Sequence, residues 1–101
     1  MDDQLYMTEA LRLAKEAAAL DEVPVGAVIV RDGEIIAEGC NRRETGKNAL
    51  YHAETMAIDD ACRALGGWRL PGCTLYVTME PCPMCGGAIV NSRIERVVYG
   101  I

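Results

Sequence analysis

Residues able to hold a metal ion lie at two places in this 101-residue chain. Cys82 and Cys85 are three residues apart, so both thiols emerge on one face of the first turn if a helix begins at the neighbouring prolines. The chain's single histidine, His52, lies two residues before Glu54, where a second apolar-periodic helix is predicted to begin. The spacing therefore predicts a metal site assembled from the starts of two helices.

The number of candidate ligands favours a catalytic zinc site. A structural zinc usually has four protein ligands, whereas a catalytic zinc has three and keeps one position for water. The sequence supplies His52, Cys82 and Cys85, and Glu54 is the natural base for that water. The pattern H-x-E…P-C-x-x-C is the signature of zinc-dependent nucleobase deaminases, and this chain matches it in residue type and order.

Each of these residues also has a simpler interpretation. The two cysteines can form a redox pair or be buried thiols, and His52 can be a core histidine. Glu54 can stabilise the positive end of its helix, a role that is compatible with catalysis. We favour zinc because a dithiol motif alone does not require a His-x-Glu triplet at another helix start.

Composition limits the classes of function. Half of the residues are hydrophobic, which fits one domain over residues 1–101. The net charge of −5 argues against nucleic-acid binding by bulk electrostatics, and leaves a small-molecule substrate or a local basic patch.

Cysteine usage and the N-terminal sequence bear on location. Five cysteines fit reduced thiols better than a disulfide framework, and we assign Cys40, Cys62 and Cys73 to packing. The N-terminus lacks the pattern of a signal peptide, and the longest apolar run is broken by proline and glycine. We expect a cytoplasmic protein that does not enter membranes.

Hydrophobic periodicity predicts a layered α/β domain of order α-β-β-α-β-α-β. We expect Thr78 or Glu80 to cap the third helix, and we expect helix N-termini to lower the pKa of the thiols. Asp32-Gly33 predicts a hairpin turn between the first two strands. The predicted helices cover residues 3–20, 51–65 and 83–92, and the predicted strands cover residues 25–30, 35–37, 73–78 and 96–99.

A polar loop over residues 39–50 leads directly to His52. Asn41 has the ordinary expectation of a turn residue, with a substrate contact as the alternative. Arg42, Arg43 and Lys47 give the loop a local positive charge that is either solvated or able to meet phosphates.

Several segments closely resemble the bacterial tRNA-specific adenosine deaminases of the cytidine deaminase-like superfamily. The resemblance is carried by residues 22–28, 39–42, 52–54, 75–85 and 91–94. It implies a three-layer α-β-α fold with a mixed sheet, a homodimer, and hydrolytic deamination of adenosine to inosine at the wobble position of tRNA.

The resemblance also assigns roles to residues. It places Zn²⁺ on His52, Cys82 and Cys85, with Glu54 moving protons. It implies that Asn41 contacts a flipped-out nucleotide and that Val25 and the Ala53 backbone amide line the base pocket. From the positive charge of its loop, we add Arg42 to the expected substrate-binding residues.

The resemblance ends before the family pattern does. Family members continue beyond the strand at residues 96–99 with a further strand and helices that are absent from this sequence. An exposed edge strand favours pairing with another chain, so we expect dimerisation to cover it.

Three functions remain open from the sequence. The first is adenosine deamination in tRNA or another single strand. The second is deamination of free nucleobases or nucleosides of the cytosine or guanine type, which tolerates an acidic chain. The third is a zinc-stabilised binding module without catalysis.

Overall fold

The computed structural model describes residues 2–100, in which three helices surround a four-stranded sheet. The element order is the predicted one, α-β-β-α-β-α-β. The helices are α1 (Asp3–Ala19), α2 (Ala53–Leu65) and α3 (Pro83–Asn91), and the strands are β1 (Gly26–Arg31), β2 (Glu34–Cys40), β3 (Cys73–Val77) and β4 (Arg96–Tyr99).

The sheet is mixed, as expected, with strand order β2-β1-β3-β4. β1 pairs antiparallel with both β2 and β3, whereas β3 pairs parallel with β4. The β1–β2 turn has φ of 52° at Asp32 and 78° at Gly33, which suits a two-residue hairpin turn. In the described part of the chain, β4 forms an outer edge of the sheet.

Helices cover both faces of the sheet, which confirms the three-layer α-β-α prediction. On one face, Tyr6, Leu13 and Ala17 of α1 pack against a cluster that includes Val28 and Tyr76. On the other face, α2 and α3 bury apolar side chains against alternate residues of β1 and β3. This second cluster includes Ala53, Ala57, Ala61 and Ile89 of the helices, and Ile29 and Leu75 of the strands.

Two strand glycines allow the helices to approach the sheet closely. A Cβ at Gly39 would lie 2.4 Å from the Ala53 carbonyl oxygen and 2.7 Å from the Ala57 nitrogen. A Cβ at Gly26 would lie 2.0 Å from the carbonyl oxygen of Ala10 on the opposite face. The first turn of α2 therefore rests directly on the backbone of β2.

Two predicted boundaries differ from the structure by more than one residue. β2 continues to Cys40, beyond the predicted end at residue 37, because Gly39 and Cys40 pair with the start of β1. α2 begins at Ala53, two residues later than predicted, because the Tyr51 N–H bonds to the Asn48 carbonyl in a preceding turn.

The N-terminus of α1 is held by two acidic residues. The Asp2 side chain caps the helix by accepting the Leu5 N–H at 3.1 Å. The Asp3 carboxylate receives the Tyr76 hydroxyl at 2.5 Å and the Arg96 guanidinium at 2.6 and 3.0 Å. The Arg96 and Tyr76 hydrogen bonds hold the pKa of Asp3 below its usual value, and burial raises the pKa of Tyr76 to about 12. These bonds join α1 to β3 and β4.

The C-terminus of α1 ends in a Schellman motif. The Glu22 N–H bonds to the Ala17 carbonyl at 2.9 Å, and the Asp21 N–H bonds to the Ala18 carbonyl at 3.0 Å. Asp21 takes the left-handed conformation that this motif needs, with φ of 60°. The motif fixes the direction in which Glu22 leaves the helix.

Among residues 2–100, no helix has both the length and the apolar composition needed to cross a bilayer.

Candidate metal centre and adjoining cavity

The first ligand candidate, His52, occupies the N-cap position of α2. Its backbone is extended, with φ of −87° and ψ of 159°. The Thr55 hydroxyl oxygen accepts the His52 N–H at 3.2 Å, and the Thr55 hydroxyl also faces the Leu50 carbonyl. Thr55 therefore anchors the helix start and leaves the imidazole to point toward α3.

The two cysteines lie at the start of α3. Cys82 is the N-cap, with φ of −71° and ψ of 170°, and Pro83 is the first helical residue. Proline is well suited to that position because its missing N–H has no partner there anyway. Cys85 is the third helical residue and is fully buried, whereas Cys82 is partly exposed.

The three side chains converge on one point. The Nδ1 atom of His52 lies 3.7 Å from the Cys82 sulfur and 3.6 Å from the Cys85 sulfur. All three ligand atoms lie within 4.8 Å of one another. Tetrahedral zinc with ordinary Zn–N and Zn–S bonds separates such atoms by about 3.5–3.8 Å. The donor set and its spacing therefore fit Zn²⁺, with Nδ1 as the imidazole ligand.

The thiol environment differs from the expectation for a helix N-terminus. Burial raises the pKa of Cys85, and the nearby Glu54 carboxylate raises it further. At Cys85, burial and a neighbouring negative charge act against the lower thiol pKa that we expect at a helix N-terminus. A divalent cation would supply the positive charge that favours the thiolate.

Glu54 lies beside the cluster as the second residue of α2. Its side chain is only 4% exposed, and burial raises its pKa. His52 and Cys85 both lie close enough to Glu54 to affect its protonation. A carboxyl group with a raised pKa can exchange a proton nearer neutral pH than an exposed one.

A cavity of about 200 Å³ opens next to the cluster. Its walls come from the α1–β1 connection, the loop before α2, the start of α2 and the segment before α3. The lining residues are Val23, Val25, Asn41, Arg43, His52, Ala53, Glu54, Met79, Glu80 and Cys82. The volume suits one flat heterocyclic ring beside the metal ligands.

The structure brings most of the predicted site residues to this cavity. Val25, Asn41 and Ala53 line it together with His52, Glu54 and Cys82. Cys85 is buried at the N-terminus of α3, next to these residues. Spacing along the sequence did not indicate Val23 or Met79, although each lies within a segment that carries the family resemblance.

Arg42 is the exception among the predicted residues. It borders a separate surface depression with Leu13 and Met56, so the structure does not bring it to the cavity. Its neighbour Arg43 lines the cavity instead. The Asn41 side-chain oxygen accepts the Arg43 N–H at 3.0 Å, and this turn reverses the loop within two residues.

The predicted cap of α3 was also wrong. The Thr78 hydroxyl oxygen accepts the Gly26 N–H at 3.2 Å and so joins the end of β3 to the start of β1. Glu80 is exposed at the cavity, and Cys82 takes the N-cap position. The sequence signal for Cys82 as the N-cap was Pro83, because proline is favoured at the first helical position, directly after the N-cap.

Comparison with known proteins finds deaminases of a zinc-binding family. The family model for the cytidine and deoxycytidylate deaminase zinc-binding region matches residues 1–101. The tRNA-specific adenosine deaminase of Bacillus subtilis (strain 168) is 60% identical over 97% of this chain and 61% of its own length. The chain thus spans about six-tenths of the length of that relative.

Solved structures show the same likeness. A guanine deaminase from Bacillus subtilis superposes with a TM-score of 0.95 at 44% identity, covering 99% of this chain and 64% of that one. A deaminase studied for A-to-I editing at the wobble position of transfer RNA superposes with a TM-score of 0.91 at 50% identity, covering 93% and 72%.

Proposed function

The chain belongs to the family defined by the cytidine and deoxycytidylate deaminase zinc-binding region, and from this premise we propose that it acts as a zinc-dependent hydrolytic deaminase of adenosine in tRNA. One observation carries the proposal. A buried carboxylate, Glu54, adjoins a three-ligand cluster and lines a cavity of about 200 Å³ together with it. A water-activating site needs this combination of ligands, base and adjoining space.

The relatives and the local charge support tRNA as the substrate. Relatives named as tRNA-specific adenosine deaminases are 60% identical in Bacillus subtilis and 50% identical in Aquifex aeolicus. Arg43 lines the cavity although the chain carries a net charge of −5. A cation at the cavity can meet the phosphate next to an inserted base.

His52 Nδ1 and the sulfurs of Cys82 and Cys85 would hold Zn²⁺. When bound, Zn²⁺ supplies the Lewis-acid chemistry that makes water nucleophilic at neutral pH. The Glu54 carboxylate accepts one proton from the attacking water and delivers it to the adenine ring nitrogen, and it then carries the remaining proton of the added hydroxyl to the departing amine. Water adds at the ring carbon that carries the amine, ammonia leaves, and inosine results.

The remaining walls of the cavity orient the base. The Asn41 oxygen is occupied by the Arg43 N–H, so its side-chain amide nitrogen can donate to a bound nucleotide. Val25 offers an apolar surface to the ring, and the Ala53 backbone amide lies at the start of α2, where free N–H groups face the site. These contacts would fix the amine-bearing carbon beside the metal ligands.

A side-by-side assay tests the proposal. A zinc-loaded preparation is offered an anticodon stem-loop with adenosine at the wobble position, a single-stranded DNA, and free nucleobases and nucleosides. We expect inosine in the stem-loop with wild type and none with Glu54→Gln. A preparation with one zinc per chain and no inosine in the stem-loop would contradict the proposal.

Deamination of a free nucleobase is the second candidate. The guanine deaminase from Bacillus subtilis superposes with a TM-score of 0.95, which favours this alternative. Ammonia released from guanine, with the stem-loop left unchanged, would support it. Zinc binding without ammonia from any substrate would instead support a zinc-stabilised binding module.

We also propose a homodimer. Val90 on α3 is 71% exposed, and Trp68 beyond α2 is 56% exposed. Both residues contact Arg93, which donates to the Val90 carbonyl at 2.8 Å and whose guanidinium lies 5.7 Å from the Trp68 ring centroid. A second copy would cover this apolar surface. Sedimentation equilibrium should give a dimer at micromolar concentration, and a monomer would overturn the proposal.

A cytoplasmic location fits the cysteines. All five are free thiols, and two of them are proposed zinc ligands that must stay reduced. Cell fractionation should recover the protein with cytoplasmic markers, and enrichment in another fraction would contradict this location.

A further inference from the structure

Glu22 is a buried carboxylate outside the metal cluster. Its side chain is 5% exposed. One carboxylate oxygen accepts the Glu44 N–H at 3.0 Å, and the other accepts the Thr45 N–H at 2.6 Å. The proposed deamination steps give this residue no role, although it contacts the loop that walls the cavity.

The backbone of Glu22 is held at the C-terminal end of α1. Its own N–H closes the Schellman motif at the end of α1 by bonding to the Ala17 carbonyl at 2.9 Å. Ala17 is fully buried against the sheet. The carboxylate therefore extends from a rigid part of the molecule toward the loop before α2.

That loop has few other ties to the body of the protein. Asn41 is held at its first residue, where its N–H bonds to the Val25 carbonyl at 3.1 Å. In the middle of the loop, the described backbone hydrogen bonds are internal, and they include Gly46 N–H to Arg42 O at 2.8 Å and Asn48 N–H to Arg43 O at 3.1 Å. The Glu22 carboxylate is thus the tether that joins the middle of the loop to the end of α1.

The carboxylate is suited to remain ionised as a tether. Burial alone would raise the pKa of Glu22, but the Thr45 and Glu44 amides, the Thr45 hydroxyl and the Arg43 guanidinium together lower it. Hydrogen bonds to an ionised acceptor are stronger than bonds between neutral groups. Two such bonds on adjacent residues restrict the loop more than one bond could.

We propose that Glu22 is a positioning residue that holds Asn41 and Arg43 in the outer wall of the cavity and thereby sets substrate affinity. The inference rests on the proposed function, since it concerns the same cavity. The link is short: Glu44 directly follows Arg43, and the Arg43 N–H bonds to the Asn41 side chain. If the Glu44 and Thr45 N–H groups lose their bonds to the Glu22 carboxylate, Asn41 and Arg43 are no longer held in the cavity wall.

The test compares Glu22→Gln with Glu34→Gln as a matched control. Glu22→Gln is nearly isosteric but turns an amide NH₂ toward one of the two backbone N–H groups. Glu34→Gln makes the same chemical change at an exposed carboxylate at the start of β2, outside the loop and the cavity lining. The measurements are amide hydrogen exchange at residues 44 and 45 by NMR, zinc content, and steady-state kinetics on the anticodon stem-loop.

We expect exchange at both amides to become roughly tenfold faster in Glu22→Gln, as expected for the loss of a charged hydrogen bond. We also expect KM to rise several-fold while kcat and zinc content stay unchanged. The control should match wild type in all four quantities. A general structural role would instead lower zinc content or kcat, so the split between KM and kcat identifies positioning.

Two results would overturn the inference: unchanged exchange in Glu22→Gln, or faster exchange with an unchanged KM. A wild-type protein that leaves the stem-loop unmodified contradicts the proposed function separately, and the exchange comparison alone then decides whether Glu22 holds the loop. If Glu22→Gln fails to fold, Glu22→Asp replaces it. Asp keeps the charge but is one methylene shorter, and exchange as slow as wild type would count against the tether.

Discussion

The N-terminus of α1 and the N-termini of α2 and α3 are built for different purposes. α1 begins with Asp2, whose side chain accepts a backbone N–H of its own first turn. α2 and α3 have His52 and Cys82 at the same position, and the His52 Nδ1 atom lies 3.7 Å from the Cys82 sulfur in the candidate ligand cluster. The side chain at the N-cap position thus caps its own helix in α1 and belongs to the candidate metal cluster in α2 and α3.

Packing against the sheet and a hydrogen bond from the backbone to Thr55 hold the start of α2. In α2 the buried alanines 53, 57 and 61 pack against the sheet, and Thr55 bonds to the backbone at residue 52. The free N–H groups of both helix starts face the site, where they favour negative charge. The difference teaches that a helix start can direct its N-cap side chain to a site while packing and Thr55 hold the helix in place.

The largest expected effect is the loss of the proton carrier. Glu54→Gln should lower the deamination rate roughly 1,000-fold, within the usual range for removing a general acid–base group, with zinc content unchanged. Rapid-quench or steady-state assays on the stem-loop measure the rate. Glu80→Gln is the matched control, because Glu80 lines the same cavity but is exposed. Equal losses in both variants would show that Glu54 has no special role.

Removing a ligand should affect metal binding and stability together. Cys85→Ser should abolish stoichiometric zinc binding, measured by mass spectrometry of the native protein. Where free zinc exceeds its Kd a thousandfold, wild type gains about 4 kcal/mol of unfolding free energy that the variant lacks. Cys62→Ser, at a partly buried thiol outside the cluster, should keep the metal. Full zinc occupancy in Cys85→Ser would refute the ligand assignment.

At the start of α1, Asp3→Asn should lower the Tm at pH 7 without changing zinc content. The depressed pKa of Asp3 means that its charge stabilises the fold above the ordinary pKa of 3.8, and that this contribution is lost as the pH falls toward the lower folded value. The difference in Tm between wild type and variant should therefore shrink below about pH 4. Thermal denaturation across pH measures it.

The control for Asp3 is Asp59→Asn. Asp59 forms an ion pair with Arg63 at 3.0 Å, and both side chains are more than half exposed. Such a pair contributes little, so the Tm should barely move. A variant at Asp3 that behaves like the one at Asp59 would show that the bonds to Arg96 and Tyr76 do not stabilise α1.

The smallest effect concerns the conventional cap. Asp2→Ala should reduce the free energy of unfolding by about 1 kcal/mol, the usual cost of losing an N-cap side chain. Urea denaturation measures this change, and kcat and KM of the folded enzyme should stay the same. Reduced kcat at unchanged stability would contradict the division between helix starts that serve stability and those that serve the site.

Much of the fold was predictable from local patterns. The Asp32-Gly33 turn, the helical spacing of alanines in α2 and the β-branched run of β1 each agree with their structure, because local preference and tertiary environment coincide there. The convergence of His52 with the two cysteines was also predictable. A metal motif specifies a distance between residues that the chain must satisfy wherever they lie.

Other features depended on contacts that a sequence pattern does not contain. Glu22 bonds to residues 22 and 23 positions later, and no periodicity links them. Arg42 and Arg43 are chemically alike, and the turn at Asn41 decides which one faces the cavity. Thr78 resembled a cap because hydroxyl residues often precede helices, but the nearest open N–H belonged to Gly26 on the neighbouring strand.

Gly39 has a consequence for attempts to engineer the chain. Replacing glycines in strands is a common route to higher stability, because it reduces the entropy of the unfolded chain. At this residue, however, an added methyl group would meet the Ala53 carbonyl at 2.4 Å and push α2 outward. Since His52 and Glu54 are carried by the start of α2, the lack of a side chain at Gly39 sets the depth of the proposed zinc ligand and the proposed proton carrier relative to the sheet.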